Sequence, residues 1–162
     1  MKKSLLLLFL LPIISFAQTE TFNLYHADTD AKSDVTIAVK KAAVEHKQVL
    51  LMIGGNWCRW CKMFDKFQHS NTSVDSALNA NYVFQHVNFS KENKNTALLT
   101  ELAFPQRFGF PVFVVLNEKG ERIHTQNSSY LEQGEGYSAE KVIEFLDQWS
   151  VKALSPDSYK EK

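Results

Sequence analysis

Cys58 and Cys61 are the only two cysteines in the chain, and Arg59 and Trp60 separate them. Disulfide exchange needs a thiolate that attacks and a second thiol that resolves the mixed disulfide. Two intervening residues let both sulfurs meet when the motif opens a helix. The first sulfur then sits at the helix N-terminus, where unpaired backbone N–H groups and the helix dipole favour an anion. The second lies about one turn along and is more enclosed. A free thiol with a pKa of about 8.5 is only about 3% ionised at pH 7, and lowering it to about 6.5 gives about 75%. That shift corresponds to about 2.7 kcal/mol of preferential thiolate stabilisation. A helix end supplies about 0.3–2 kcal/mol of it, and Arg59 and Lys62 are the charges placed to add the rest. The spacing therefore assigns Cys58 as nucleophile and Cys61 as resolver.

Two other readings of the pair stand beside this one. As a brace the disulfide is poorly placed. Closing a four-residue loop removes about 1.9 kcal/mol of unfolded-state entropy in the chain-entropy model, against about 3 kcal/mol for a fifteen-residue loop. As a zinc site the pair supplies two ligands where four are needed, and no second pair is visible, so no metal ligand is assigned. Covalent haem attachment needs His after the second cysteine, and Lys62 stands there. No cofactor is required, because the dithiol itself holds the electrons.

The elements that must position the pair follow from pattern. Val49 to Ile53 is a continuous apolar run, as expected of a strand buried on both faces. Gly54-Gly55-Asn56 makes a turn, and a helix runs from the cysteines to about His69 with Met63, Phe64 and Phe67 inward. Before it, Asp34 caps a helix over Val35 to His46. After it come a short helix over Val74 to Ala80, a strand over Tyr82 to Phe89 and a helical stretch from Thr96 to Ala103. A dense strand over Val112 to Leu116 and a strand over Glu121 to Gln126 flank the turn Asn117-Glu118-Lys119-Gly120. Asn127 to Gly136 reads as a polar loop, and Ser138 caps a last helix carrying Val142, Ile143, Leu146 and Trp149. No clear pattern covers Thr19 to Thr29. A helix between strands favours a parallel crossover and a tight turn an antiparallel hairpin. The expected class is α/β, a mixed central sheet with helices on both faces.

The first residues read as an address. Lys2 and Lys3 precede an apolar run from Leu5 to Ile14, and Ser15 and Ala17 place small residues at both cleavage-determining positions. This is a secretory signal pattern, and it is too short for a spanning helix, which needs about 20 apolar residues. Residues 1–17 are thus the expected signal peptide, 18–151 one domain and 152–162 a polar tail. Cleavage leaves 145 residues with 16 basic and 18 acidic side chains, a net charge of −2. No basic patch points to nucleic acid, and no stable membrane insertion is expected after cleavage. Location should be periplasmic or secreted.

Two segments resemble the thioredoxin superfamily, in particular the small exported thioredoxin-like domains of bacteria. One runs from Val49 through Trp57-Cys58-Arg59-Trp60-Cys61 to Phe64, and the other is Arg107-Phe108-Gly109-Phe110-Pro111 followed by Val112 to Leu116. The resemblance covers roughly Val35 to Ser150 and implies the thioredoxin fold. It implies that Cys58 attacks, Cys61 resolves and Trp57 flanks the site. It also implies that Pro111 is a cis-proline facing the disulfide and that the backbone of Phe110 pairs with a bound substrate strand. Trp60 offers a partly exposed contact surface. Two departures stand out. Arg59-Trp60 replaces the Gly-Pro common in thioredoxins, and Met52 occupies the position of the buried acid that accepts the proton of the second thiol. Proton removal from Cys61 then falls to water, Lys62 or a neighbouring carboxylate such as Asp65.

The expected function is thiol–disulfide exchange with protein thiols or disulfides, in the reductive direction by analogy, with a redox partner protein needed for turnover. The alternative is a non-catalytic module that holds client polypeptides beside Trp60 and Pro111. The remaining histidines, His26, His46, His86 and His124, are scattered and read as surface or strand-packing residues.

Overall fold

The computed structural model describes residues 22–160. The expected signal peptide lies outside the described residues. Four strands form the central sheet: β1 (Gln48–Gly54), β2 (Tyr82–Asn88), β3 (Val112–Leu116) and β4 (Arg122–Asn127), in the order β2-β1-β3-β4. β1 runs parallel to β2 and antiparallel to β3, and β3 pairs antiparallel with β4. The sheet is mixed, as its connections require. Between β1 and β2 the chain returns through α2 (Arg59–Ser70) and α3 (Thr72–Asn81), a crossover long enough for a parallel pair.

Every residue of β1 is buried, which explains why its sequence shows no alternation. Its side chains divide between two cores. Leu50 and Met52 pack with Phe113 and Val115 beneath α2, α3 and α5 (Ala139–Gln148). Val49, Leu51 and Ile53 pack with Val112, Val114 and Leu116 beneath α1 (Ala31–Glu45) and α4 (Thr96–Glu101). Each such side chain contributes about 1.5–3 kcal/mol on burial. β1, like β3, is buried along its whole length, and the cysteine motif hangs from its end.

Three local expectations are corrected. α1 begins one turn earlier than expected: Asp30, not Asp34, caps it by accepting from the Lys32 N–H, and Ala31 continues the buried stripe of Val35, Ala38 and Ala42. The stretch expected as a polar loop from Asn127 holds a 3-10 turn over Ser128–Leu131 and a small hairpin of β5 (Glu132–Gln133) and β6 (Gly136–Tyr137). This hairpin delivers the buried ring of Tyr137 to the core. The stretch expected as a polar tail holds, among its described residues, α6 (Val151–Leu154) and a 3-10 turn over Pro156–Tyr159, each capped by a serine side chain. Among the described residues no helix is long and apolar enough to cross a membrane.

Candidate active site

β1 ends at Gly54, and a short turn through Gly55, Asn56 and Trp57 leads to Cys58, the N-cap of α2. Cys58 donates its N–H to the Gly55 carbonyl at 2.9 Å, and its own carbonyl accepts from the Lys62 N–H at 3.2 Å. Cys58 and Cys61 form a disulfide. The Cys58 sulfur also accepts from the Cys61 N–H at 3.1 Å. An N-cap acceptor that is a sulfur rather than an oxygen places the first cysteine where the helix end stabilises negative charge. The two sulfurs differ in access: Cys58 keeps 4% of its surface exposed and Cys61 none. Attack from outside can reach only Cys58.

The two glycines are required by close approach. A Cβ on Gly55 would lie 2.4 Å from Trp57 Nε1 and 2.7 Å from the Phe89 carbonyl oxygen. Those two atoms make the 2.7 Å hydrogen bond that fixes the Trp57 ring. A Cβ on Gly54 would lie 2.4 Å from the Cys61 sulfur and 2.9 Å from the Tyr25 hydroxyl. Asn56 pins the segment bearing Tyr25: its Oδ1 accepts from the N–H groups of Leu24 and Tyr25, each at 3.0 Å, and its Nδ2 donates to the Tyr25 carbonyl at 2.7 Å.

The second segment arrives through sheet register. Ile53 pairs with Val112, so Pro111, the residue before β3, lies at the end of the sheet that bears the cysteines. Pro111 is buried and the Phe110–Pro111 bond is cis. Phe110 meets Trp57 edge-on at 5.3 Å between ring centroids and stacks on Phe89 at 4.8 Å. Trp57, Phe110 and Pro111 thus converge on the motif. Trp57 is 57% exposed and is the open aromatic of the site. Trp60 is half-buried, its ring edge-on to Tyr137 at 5.6 Å. Arg59 is exposed, and the Lys62 ammonium lies 5.2 Å over the Phe22 ring. A groove of about 500 Å³ opens beside Trp57, lined by Tyr25, Asn56, Asn88 and Phe89, and Phe110 and Pro111 do not line it.

Met52 is fully buried on the α2 side of β1 and offers no proton acceptor. His86 lies directly beside it on β2. Burial lowers the His86 pKa to about 4, with the nearby His69 charge a smaller cause, so its imidazole is neutral at pH 7. Burial raises the Tyr25 phenol above its ordinary range, helped by the charges of Asp65 and Tyr137. Tyr25, Asn56 and the glycines were not singled out as site residues from the sequence. The signal available was the Gly-Gly-Asn run directly before the motif.

Residues 35–135 match a thioredoxin-like domain family. The chain belongs to this family. Its geometry is also that of solved members of the fold. A disulphide isomerase from Xylella fastidiosa Temecula1 superposes with a TM-score of 0.68 at 25% identity, covering 78% of this chain and 96% of that one. The oxidised C-terminal domain of DsbD from Neisseria meningitidis gives a TM-score of 0.53 at 25% identity, covering 72% and 94%. A thioredoxin from Thermus thermophilus gives 0.52 at 20% identity, covering 78% and 94%, a likeness of fold alone. No curated protein matches the sequence. With its paired cysteines at the helix start, this thioredoxin-like chain is a thiol–disulfide oxidoreductase.

Proposed function

We propose that this thioredoxin-like protein is an exported reductase of protein disulfides. The observation that carries the reading is the asymmetry of its own disulfide: Cys58 caps α2 and alone reaches the surface, beside the exposed ring of Trp57. In the reduced protein the Cys58 thiolate attacks a client disulfide, forming a mixed disulfide and releasing one client thiolate. Cys61 then attacks Cys58 and releases the second. The client gains two electrons and the dithiol loses them, so a redox partner protein must restore it. Trp57, Phe110 and Pro111 offer the contact surface for the client strand, and Arg59 and Lys62 bias Cys58 toward its anion. Export rests on the pattern of residues 1–17, and the company of a DsbD C-terminal domain among structural relatives agrees with it.

The test is turnover. The purified protein should reduce insulin with dithiothreitol as donor, and Cys58→Ser should abolish this while leaving the fold intact. Equilibration with glutathione buffers sets direction: a potential near about −270 mV supports a reductant, and one near about −120 mV replaces it with an oxidant. A wild type that neither reduces insulin nor exchanges with glutathione refutes the reading in favour of a client-holding module.

A further inference from the structure

A resolving thiol buried in the first turn of α2 must lose its proton before it can attack, and the strand beneath it offers only Met52. The structure supplies another group. Tyr25, 2% exposed, comes from the segment before α1 and is held by Asn56. Its hydroxyl and the Cys61 sulfur crowd the same point at Gly54, 2.9 Å and 2.4 Å from the position of the missing Cβ. Among the described residues this buried hydroxyl has no hydrogen-bond partner, and neither does the buried Oδ1 of Asp65. A buried unpaired hydroxyl costs about 1–3 kcal/mol, so its retention next to the Cys61 sulfur calls for a role. Asp65 lies one helical turn beyond Cys61, on the same face of α2, and its charge acts on Tyr25. From Asp65 the way leads out, since His69 Nδ1 lies 3.5 Å from Oδ1 and the His69 side chain is 67% exposed.

We propose that Tyr25 is a catalytic residue that relays the proton of Cys61 to Asp65, taking the place of a buried acid on β1. This rests on the oxidoreductase reading above. In the mixed disulfide, Cys61 Sγ–H gives its proton to the Tyr25 oxygen as the Tyr25 hydroxyl gives its own to the Asp65 carboxylate. The Cys61 thiolate attacks Cys58, the Cys58–client bond breaks, and the client leaves as a thiolate. Asp65 returns its proton to solvent past His69. In the opposite direction the same relay reprotonates Cys61. The titratable groups packed around Tyr25 are Asp65 on α2, His86 on β2 and Tyr137 on β6. His86 has its ring edge toward Tyr25 at 5.4 Å and is neutral at pH 7, which leaves Asp65 as the acceptor.

The experiment is single-turnover resolution of a mixed disulfide between Cys58 and thionitrobenzoate, followed by release of the coloured thiolate from pH 5 to 10. Tyr25→Phe keeps the ring and removes the oxygen. It should slow resolution about 10²-fold at pH 7, with the loss shrinking as pH rises and hydroxide deprotonates Cys61 directly. Alkylation of Cys58 should keep its wild-type rate. Asp65→Asn should slow resolution comparably, and the double variant should be no slower than Tyr25→Phe. Wild-type rate and pH profile in Tyr25→Phe, or multiplying effects in the double variant, would overturn the relay. If Cys61→Ser holds its thionitrobenzoate in the same assay while Tyr25→Phe resolves normally, the relay fails and the oxidoreductase reading stands. Should the wild type itself never release the thiolate, both fall.

Discussion

The two faces of the central sheet are built from different chemistry. Beneath α1 and α4 the fully packed apolar residues are Ala, Val, Leu and Ile. Beneath α2, α3 and α5 the core holds both cysteines, Met52, and the rings of Tyr25, Phe64, Tyr82, Phe113, Tyr137 and Phe145. Of the five residues whose buried side-chain atoms find no partner among the described residues, Tyr25, Asp65, Gln68 and His86 belong to this side, and Gln106 lies in the 3-10 turn Pro105–Phe108 after α4. An aliphatic layer can be dense and needs no hydrogen bonds. A layer that keeps unpaired polar groups beside a disulfide gives up stability for reactivity. One sheet thus separates the face that holds the fold from the face that carries the chemistry, and β1 belongs to both.

That division can be broken by substitution. Leu51 is fully buried on the aliphatic face. Leu51→Ala should cost about 3 kcal/mol in urea unfolding, while kcat per folded molecule stays at the wild-type value. A large loss of kcat would show that the faces are coupled. On the reactive face, His86 should make stability depend on pH. Its pKa is depressed to about 4 from an ordinary value of 6.5. Between those values the unfolded chain binds a proton that the native state refuses. Stability contributed by neutral His86 is complete above about pH 6.5 and is lost as pH falls toward 4. The loss is on the order of 3 kcal/mol, taking about 1.4 kcal/mol for each unit between 6.5 and 4, and His86→Phe should flatten that part of the pH–stability curve. A curve unchanged by the substitution would show that His86 is not the group. The smallest effect is expected of Tyr25→Phe, whose lost hydroxyl had no partner. Its unfolding free energy should rise by about 1 kcal/mol, the low end of the cost of a buried unpaired hydroxyl, against a large kinetic defect. Strong destabilisation would instead make the hydroxyl structural.

The sequence announced the parts whose signal is local. The unbroken apolar run of β1, the Cys-x-x-Cys spacing, and Phe110-Pro111 before a β-branched strand each carry their meaning in a few adjacent residues. The placement of Tyr25 does not. It depends on the Asn56 side chain holding backbone more than thirty residues away, and on two glycines whose missing Cβ atoms make room for a hydroxyl, a sulfur and an indole. Neither leaves a periodic trace, which is why the stretch before α1 looked patternless. The start of α1 is ambiguous in the sequence for a similar reason. Asp30 and Asp34 are both credible caps, and only the burial of Ala31 decides between them. The partial cover over Trp60 is likewise hidden in the sequence, because it comes from Tyr137, delivered by a hairpin that the polar stretch after Asn127 conceals.

The most direct test of the central claim is to remove the resolving sulfur and look for the trapped intermediate. Cys61→Ser, reduced and mixed with a client disulfide such as oxidised insulin, should accumulate a covalent adduct whose mass map places the bond at Cys58. The adduct should disappear on adding dithiothreitol. Absence of any adduct, while Cys58 is verified as a free thiol, would contradict the account.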